Sequence, residues 1–394
     1  MFCEEPQDRE QVLRELNELL ETDTTYSSGH PVASMSTIPH RLGVEVFTRT
    51  LEKNAGRLHT FQGSWQVEQE VLRMIGNLLN LDGTPYGTTT SGGTESNILA
   101  VLSAREKFRR RVEKPEIIAP KTAHSSIDKA GWLLGVRVRR ARVDKAFRAV
   151  PSAIEKRINE NTVGIVLTAG TTYLGQIDPI EEVAEIARDH RLPLHVDAAF
   201  GGFVIPFLKD IGRGDYKFAF EVDGVTSVSV DPHKMGLAPI PAGVILFRNK
   251  SDVTRITKCV PYLRGRSSVQ TSILGTRPAA PILATWAIMK HLGRKGYREI
   301  VATCMKRTDH VIHRIQQNPL LTTPIKPVMN IVGIQSREVS LDHIVEKMEA
   351  RGWRMATSPF PPTLRLVVMP HVTEGAINAF FNDLDDISST IPAS

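Results

Sequence analysis

Ser227-Val228-Ser229-Val230-Asp231-Pro232-His233-Lys234-Met235-Gly236 is the stretch on which the reading of the fold turns. A short strand runs into a turn at Pro232 and delivers a lysine immediately behind a histidine. Burying the charge of a lysine is costly. The placement makes sense if the amine is neutral and nucleophilic, as Schiff-base chemistry requires. Taken alone, Lys234 could equally sit on an exposed turn. Outward from this stretch, short apolar segments recur at Ile117-Ile118, Val136-Val138, Gly164-Leu167, Leu194-Val196, Val225-Ser229 and Gly243-Phe247, with helical patterns between them from about Thr84 onward. Asp178-Pro179-Ile180-Glu181 predicts a helix start, with Asp178 as N-cap and Pro179 at the first helical position. Such alternation predicts an α/β sheet, mostly parallel, with helices on both faces. Ligands of such sheets sit at the carboxyl ends of the strands, so the polar residues after each strand are the ones to interrogate.

Upstream, Arg9 to Leu20 carries Val12, Leu13, Leu16, Leu19 and Leu20 at helical spacing. This amphipathic helix has no obvious partner in its own chain. The irregular segment that follows, Thr22 to Pro39, suits the surface of a second subunit. Helical patterns cover Val44 to Leu51 and Val67 to Leu79. Beyond Pro278 come helical patterns at Ile282 to His291 and Glu299 to Ile315, strands near Ile331-Ile334 and Leu364-Val368, and a helix from about Thr373. The expected organisation is a helical dimerisation segment over 1–55, a large domain over 56–277 and a smaller α+β domain over 278–394.

The composition, 41% hydrophobic and 23% charged over 394 residues, is that of a soluble globular protein. The formal charge of +6 is a mild excess. The clusters Arg109-Arg110-Arg111 and Arg137, Arg139, Arg140 and Arg142 read as a solvated helix end and a polar strand edge rather than a nucleic-acid surface. Three cysteines in no metal or CxxC spacing argue against a disulfide scaffold and fit a reducing cytoplasm. The acidic N-terminus does not resemble a signal peptide, and the apolar runs are too short to span a bilayer.

Two further motifs carry chemistry. In Thr90-Ser91-Gly92-Gly93-Thr94-Glu95-Ser96-Asn97 the glycines let backbone N–H groups approach an anion, and the apolar run Ile98 to Leu102 starts a helix whose N-terminus favours a phosphate. No GKS or GKT is present, so this is not a P-loop. In Leu194-His195-Val196-Asp197-Ala198-Ala199 a strand delivers an acid that can pair with a cationic ring nitrogen, and a small residue lets a flat ring lie close. An Asp N-cap is the plainer alternative. Phosphate loop, strand-Asp and strand-Lys, in that order, are what pyridoxal 5'-phosphate (PLP) demands.

With these pieces in place, the sequence resembles the group II PLP-dependent amino-acid decarboxylases of fold type I, most closely the archaeal tyrosine/aspartate decarboxylases. The resemblance runs from about Ser34 to the C-terminal helix. It implies an aminotransferase-like large domain on a mostly parallel seven-stranded sheet. It also implies a homodimer with shared active sites, acting on a small amino acid without nucleic acid, membrane or metal. Tyramine, for methanofuran biosynthesis, and β-alanine, for coenzyme A biosynthesis, are the implied products. Residue by residue, Lys234 would form the Schiff base, Asp197 would face the ring nitrogen and His124 would stack on the ring. Gly93, Thr94 and His233 would lie at the phosphate and Ala199 beside the ring. A strand-end threonine, Thr172 or alternatively Thr171, would approach the phenolic oxygen. Thr276 would reach the phosphate of the neighbouring subunit, Arg365 would hold the substrate α-carboxylate, and Tyr262 would be a mobile-loop proton donor. The rival readings are a carbon–carbon lyase of the sphingosine-phosphate-lyase type, which has no α-carboxylate to bind, and a non-catalytic dimeric interaction protein that retains the fold. A cysteine desulfurase would need a reactive cysteine, and the motif around Cys259 does not match one; an aminotransferase rests on fold alone.

Overall fold

The computed structural model describes residues 2, 4–56, 60–261 and 269–389. Three helices precede the sheet: α1 Arg9–Leu20, α2 Arg41–Arg49 and α3 Gln62–Leu78. The central alternation runs β1 Tyr86–Thr90, α4 Gly93–Phe108, β2 Glu116–Pro120, α5 Ser126–Leu134, β3 Arg137–Ala141, α6 Pro151–Glu155, β4 Thr162–Thr168, α7 Ile180–Asp189, β5 Leu194–Asp197, α8 Ile205–Leu208, β6 Val225–Val230, β7 Gly243–Phe247 and α9 Lys250–Ile256. A small ribbon, β8 Lys258–Cys259 with β9 Val269–Gln270, leads to the long α10 Ala280–Gln317. The chain closes with β10 Leu321–Thr322, β11 Ile331–Ser336, α11 Leu341–Ala350, β12 Ala356–Pro359, β13 Pro362–Val367 and α12 Glu374–Ser389.

The large sheet has seven strands in the order β1-β7-β6-β5-β4-β2-β3. Only β7 runs against the rest, pairing antiparallel with both β1 and β6. The inner parallel strands β2, β4, β5 and β6 are buried on two faces, whereas the edge strand β3 is partly exposed. Ile118, Ile165, Leu167, Val196 and Val228 enter one core layer with Val71, Leu72 and Ile75 of α3. Ile117, Ala119 and Val166 enter the other with Ile98 and Val101 of α4 and Ile127 and Ala130 of α5. Burial of each such side chain stabilises by roughly 1.5–3 kcal/mol, which is why these strands read as continuous apolar runs.

A second, antiparallel sheet, β10-β11-β13-β12, has its own core of Val332, Ile334, Leu364, Leu366, Trp353, Phe380 and Phe381. Helix α10 spans both: Ile282, Ile288 and Val301 pack in the first core and Val311 and Ile315 in the second, while Gly293, at φ 56°, breaks the helix within its first-core stretch, between Ile288 and Val301. The segment around Val32 belongs to the second core, and the Val367 N–H donates to the Val32 carbonyl at 2.8 Å. That stitch carries Ala33 and Met35 to the large sheet's carboxyl edge.

Two local expectations are corrected. Asp178 does not cap α7, which starts at Ile180. Its carboxylate turns inward and accepts the Ala149 N–H at 2.7 Å and the Thr168 N–H at 2.8 Å. Helix α4 begins at Gly93 rather than near Ile98, so both the glycine pair and the acidic residue behind it belong to its first turn. Of the basic clusters, Arg137 and Arg139 reach Glu116 and Arg140 reaches Asp128, along the edge strand β3. Among the described residues no helix is long and apolar enough to cross a membrane.

Candidate active site

The carboxyl ends of β4, β5 and β6 and the loop after β1 surround one cavity of about 330 Å³. Strand register puts Thr168, Asp197 and Ser229 side by side across β4, β5 and β6, with His195 and Ser227 paired one step behind. Alternation along β5 sends His195 and Asp197 to the same face.

The loop after β1 turns through Gly92 at φ 146°, a conformation that favours glycine. A Cβ there would come 3.0 Å from His233 Cε1, and one on Gly93 would come 3.0 Å from Asp231 Oδ2 and 3.1 Å from Ala199 Cβ. The loop is thus pressed onto the residues that follow β5 and β6, and it opens α4, whose first N–H groups at Gly93 and Thr94 have no helical acceptor. Glu95 fastens this turn: its Oε2 accepts the Ser91 N–H at 2.7 Å and the Ser91 hydroxyl at 2.8 Å, and its Oε1 accepts the Ile273 N–H at 2.9 Å.

Lys234 lies four residues beyond β6, in the turn after it, and its Nζ is 3.0 Å from Asp231 Oδ2. The other oxygen, Asp231 Oδ1, is buried without a partner. His233 has its Nδ1 2.6 Å from the Ala242 carbonyl, and burial pushes its pKa down. Asp197 is buried; its Oδ2 accepts from Asn97 Nδ2 at 2.8 Å and its Oδ1 from the Ala199 N–H at 3.1 Å. His124 stands exposed at the opening, yet desolvation against the site lowers its pKa in spite of the nearby Asp197. Its Nδ1 accepts the Ser126 N–H at 3.1 Å, which suits a neutral ring.

Of the two threonines considered, Thr172 lines the cavity, whereas the Thr171 hydroxyl is buried and accepts the Gln176 N–H at 2.9 Å. Thr168, which ends β4, also lines the cavity, and its buried hydroxyl has no partner. Sequence spacing alone does not single out Thr168 from Thr171 and Thr172, because the end of a strand is defined only to within a residue or two. Arg365, on β13, does not itself line the cavity but reaches Thr172, which does: Nη2 donates to the Ala33 carbonyl at 2.8 Å, Nη1 to the Thr172 carbonyl at 3.4 Å, and Nε is buried without a partner. Among the described residues no carboxylate pairs with it. Thr276 is exposed and does not line this chain's cavity. Tyr262 lies outside the described residues. Among the described residues no group of three His, Cys, Asp or Glu side chains could hold a metal ion.

A carboxylate, a lysine and a glycine-opened helix start thus converge on one cavity. Residues 2–335 match the model of the pyridoxal-dependent decarboxylase conserved domain. The chain belongs to the pyridoxal-dependent decarboxylases. This decarboxylase is 43% identical over 381 residues to an L-aspartate/L-glutamate decarboxylase of Pyrococcus horikoshii, covering 97% of this chain and 98% of that one. It is 42% identical over 363 residues to a probable L-tyrosine/L-aspartate decarboxylase of Methanothermobacter thermautotrophicus, covering 92% and 98% of the two chains. Among solved structures, the fold matches the Lactobacillus brevis glutamate decarboxylase with a TM-score of 0.91 at 21% identity, over 100% of this chain and 95% of that one. A sphingosine-1-phosphate lyase from Burkholderia pseudomallei matches with a TM-score of 0.89 at 27% identity, over 99% and 92%. The decarboxylase is therefore a PLP enzyme of the seven-stranded fold expected of it, and the amino-acid decarboxylase reading holds over the lyase reading.

The cavity suits that cofactor on its own terms. The glycine cradle leaves no room for side chains where a phosphate would approach, and Thr168 Oγ1 is a buried polar atom awaiting a partner. Lys234 Nζ and the Asp197 carboxylate face the same volume.

Proposed function

We propose that Lys234 carries PLP covalently, that Gly92, Gly93, Thr94 and His233 surround its phosphate, and that Asp197 faces its ring nitrogen. Ala199 and His124 lie on the two sides of the ring, and Thr168 and Thr172 supply hydroxyls to its rim. The observation that carries this reading is the meeting of Lys234, Asp197 and the start of α4 in one cavity. Bound there, the cofactor supplies an electron sink for the bond that releases CO₂.

The chain's own residues orient and exclude. Arg365 keeps its Nε unspent and holds its other nitrogens on two carbonyls, so a carboxylate entering the mouth meets a fixed, unpaired guanidinium. A neutral His124 covers the ring without adding charge, and Asp231 Oδ2, 3.0 Å from Lys234 Nζ, positions the amine when it is free. Tyr262 donates the proton that completes the amine product, and Thr276 serves the site of the neighbouring copy in a homodimer working in the cytoplasm.

L-aspartate, giving β-alanine for coenzyme A biosynthesis, is the substrate we favour. A probable L-aspartate decarboxylase of Pyrococcus abyssi aligns at 42% identity over 98% of this chain, and one of Thermococcus gammatolerans at 43% over the same share. L-tyrosine, giving tyramine for methanofuran biosynthesis, is the second reading, favoured by the apolar side chains of Met35, Phe200 and Ile240 in the cavity wall. Borohydride reduction followed by peptide mapping is expected to label Lys234, and a label on another lysine overturns the assignment. A product assay across aspartate, glutamate and tyrosine selects the substrate, with β-alanine as the expected major product.

A further inference from the structure

Beneath Asp197 lies a buried polar network that the roles above do not use. Asn97, on α4, is 1% exposed. Its amide nitrogen donates to Asp197 Oδ2 at 2.8 Å and to Ser126 Oγ at 2.8 Å. Ser126 Oγ lies in turn 2.9 Å from His124 Nδ1. Both protons of the Asn97 amide are thus committed, one toward the acid and one toward the imidazole. Its carbonyl oxygen receives the Ser229 hydroxyl at 3.1 Å and lies 2.9 Å from His195 Nε2. His195 is itself held through Nδ1, 2.9 Å from the Ser227 hydroxyl.

The carboxylate in front of Asn97 fixes its orientation. An amide can rotate by half a turn and exchange oxygen for nitrogen. Rotated, Asn97 would point its oxygen at Asp197 Oδ2, setting two acceptors against each other. An ionised carboxylate only accepts, so the Asp197 side disfavours that state; with the N–H on Asp197, the Asn97 oxygen faces the Ser229 hydroxyl and His195 Nε2, which then serve as its donors. An amide also has no proton to lose, so this donor does not change with pH.

We propose that Asn97, held by His195 and Ser229, is a positioning residue that keeps Asp197 aimed toward the cofactor ring and, through Ser126, sets the plane of His124. This inference rests on the reading that Asp197 faces the ring nitrogen. A third consequence follows from the geometry: one side chain on α4 ties the groups below and beside the ring to the helix whose first turn forms the phosphate cradle. The titratable and charged groups around Asp197 are His124, His195, Asp231 and Lys234.

The test uses the holoenzyme loaded with PLP carrying an isotope-labelled ring nitrogen. Nuclear magnetic resonance of that nitrogen reports its protonation, alongside kcat and KM from pH 5.5 to 9. In the wild type the ring nitrogen is expected to stay protonated through neutral pH. Asn97→Asp sets a second carboxylate against Asp197, and the two must share a proton. A new ionisation is therefore expected in both the resonance and kcat, with kcat down by about 10²-fold and KM within about threefold. A resonance and kcat that remain flat with pH and near wild type in Asn97→Asp overturn the proposal. If Asn97→Asp does not fold, the pair His195→Gln and His195→Leu decides. Gln keeps a donor for Asn97 and is expected to retain the wild-type signature, and Leu to lose it; identical behaviour of the two overturns the proposal. Asp197→Asn is the control. If it also leaves the ring nitrogen protonated, the placement of Asp197 fails; if it alone deprotonates the ring, the role of Asn97 fails while the site stands.

Discussion

Gly92 shows how much a single backbone angle decides. At φ 146° with a Cβ position 3.0 Å from His233, it admits no side chain without displacing either the loop or the histidine. Gly92→Ala is therefore expected to weaken PLP binding by about tenfold or more, since left-handed backbone and a close contact each cost of order 1 kcal/mol. Fluorescence titration of the apoenzyme with PLP measures it, and unchanged affinity would mean that the loop does not form the cradle. At this scale the sequence was partly legible. Lys234, Asp197 and the glycine pair announced themselves because each follows a recognisable strand or precedes a recognisable helix. Asn97 and Glu95 stood inside the same motif without being assigned a role. They lie four and two residues past Gly93, so helical spacing turns Asn97 to the same face as the cradle. What it touches there, Asp197, is one hundred residues away, and only the fold brings the two together.

Elements tell a similar story about what pattern reading can see. Strands β2, β4, β5, β6 and β7 were found as apolar runs because both their faces are buried. Strand β1, Tyr86-Gly87-Thr88-Thr89-Thr90, has no such run and lies at the sheet's edge, and it was not assigned. Its Thr89 instead joins a buried ion pair: Arg277 Nη1 lies 2.9 Å from Glu68 Oε1 and donates to the Thr89 hydroxyl at 2.7 Å. Burial works against the charge of Glu68, yet Arg277 and the Thr89 hydrogen bonds hold its carboxyl below the usual range. Arg277→Met leaves that carboxylate buried and unpaired, at an expected cost of about 3–5 kcal/mol, visible as a lowered denaturation midpoint. Loss of less than about 1 kcal/mol would show that Glu68 simply takes up a proton at little cost.

Asp178 gives the junction of β4 and α7 a pH dependence. Burial raises its pKa from 3.8 to about 6, although the Ala149 and Thr168 N–H groups pull the other way. A carboxyl raised on folding contributes stability that is fully present below its unfolded pKa and lost as pH rises through the folded one. The loss falls between about pH 4 and 6 and amounts to about 3 kcal/mol. Asp178→Asn cannot titrate, so the wild type is expected to be more stable relative to the variant at pH 4 than at pH 7. Thermal unfolding of both proteins across that range reads the difference; a gap that does not change with pH removes Asp178 as the source.

At the scale of the whole molecule, the single chain leaves apolar surface uncovered on an element with no other apparent purpose. Helix α1 has no buried residue; Leu16 is 47% exposed and Leu19 75%, with Val12, Leu13 and Leu20 beside them. Each such side chain gains roughly 1.5–3 kcal/mol on full burial, so a second copy that covers this stripe gains several residues' worth at once. The exposed Thr276 is the complementary sign, because it lies outside its own chain's cavity on a segment anchored by Arg277 and by the Ile273–Glu95 hydrogen bond. If the stripe and Thr276 serve the same assembly, weakening one must weaken the other. Leu16→Asp with Leu19→Asp is expected to leave each chain folded, since neither residue enters a core, while raising the dimer dissociation constant by about 10²-fold or more. Sedimentation equilibrium measures the constant, and activity measured over the same dilution range tests the link. Specific activity is expected to follow the dimer fraction in both proteins. A fully active monomer would show that α1 and Thr276 serve something other than a shared site.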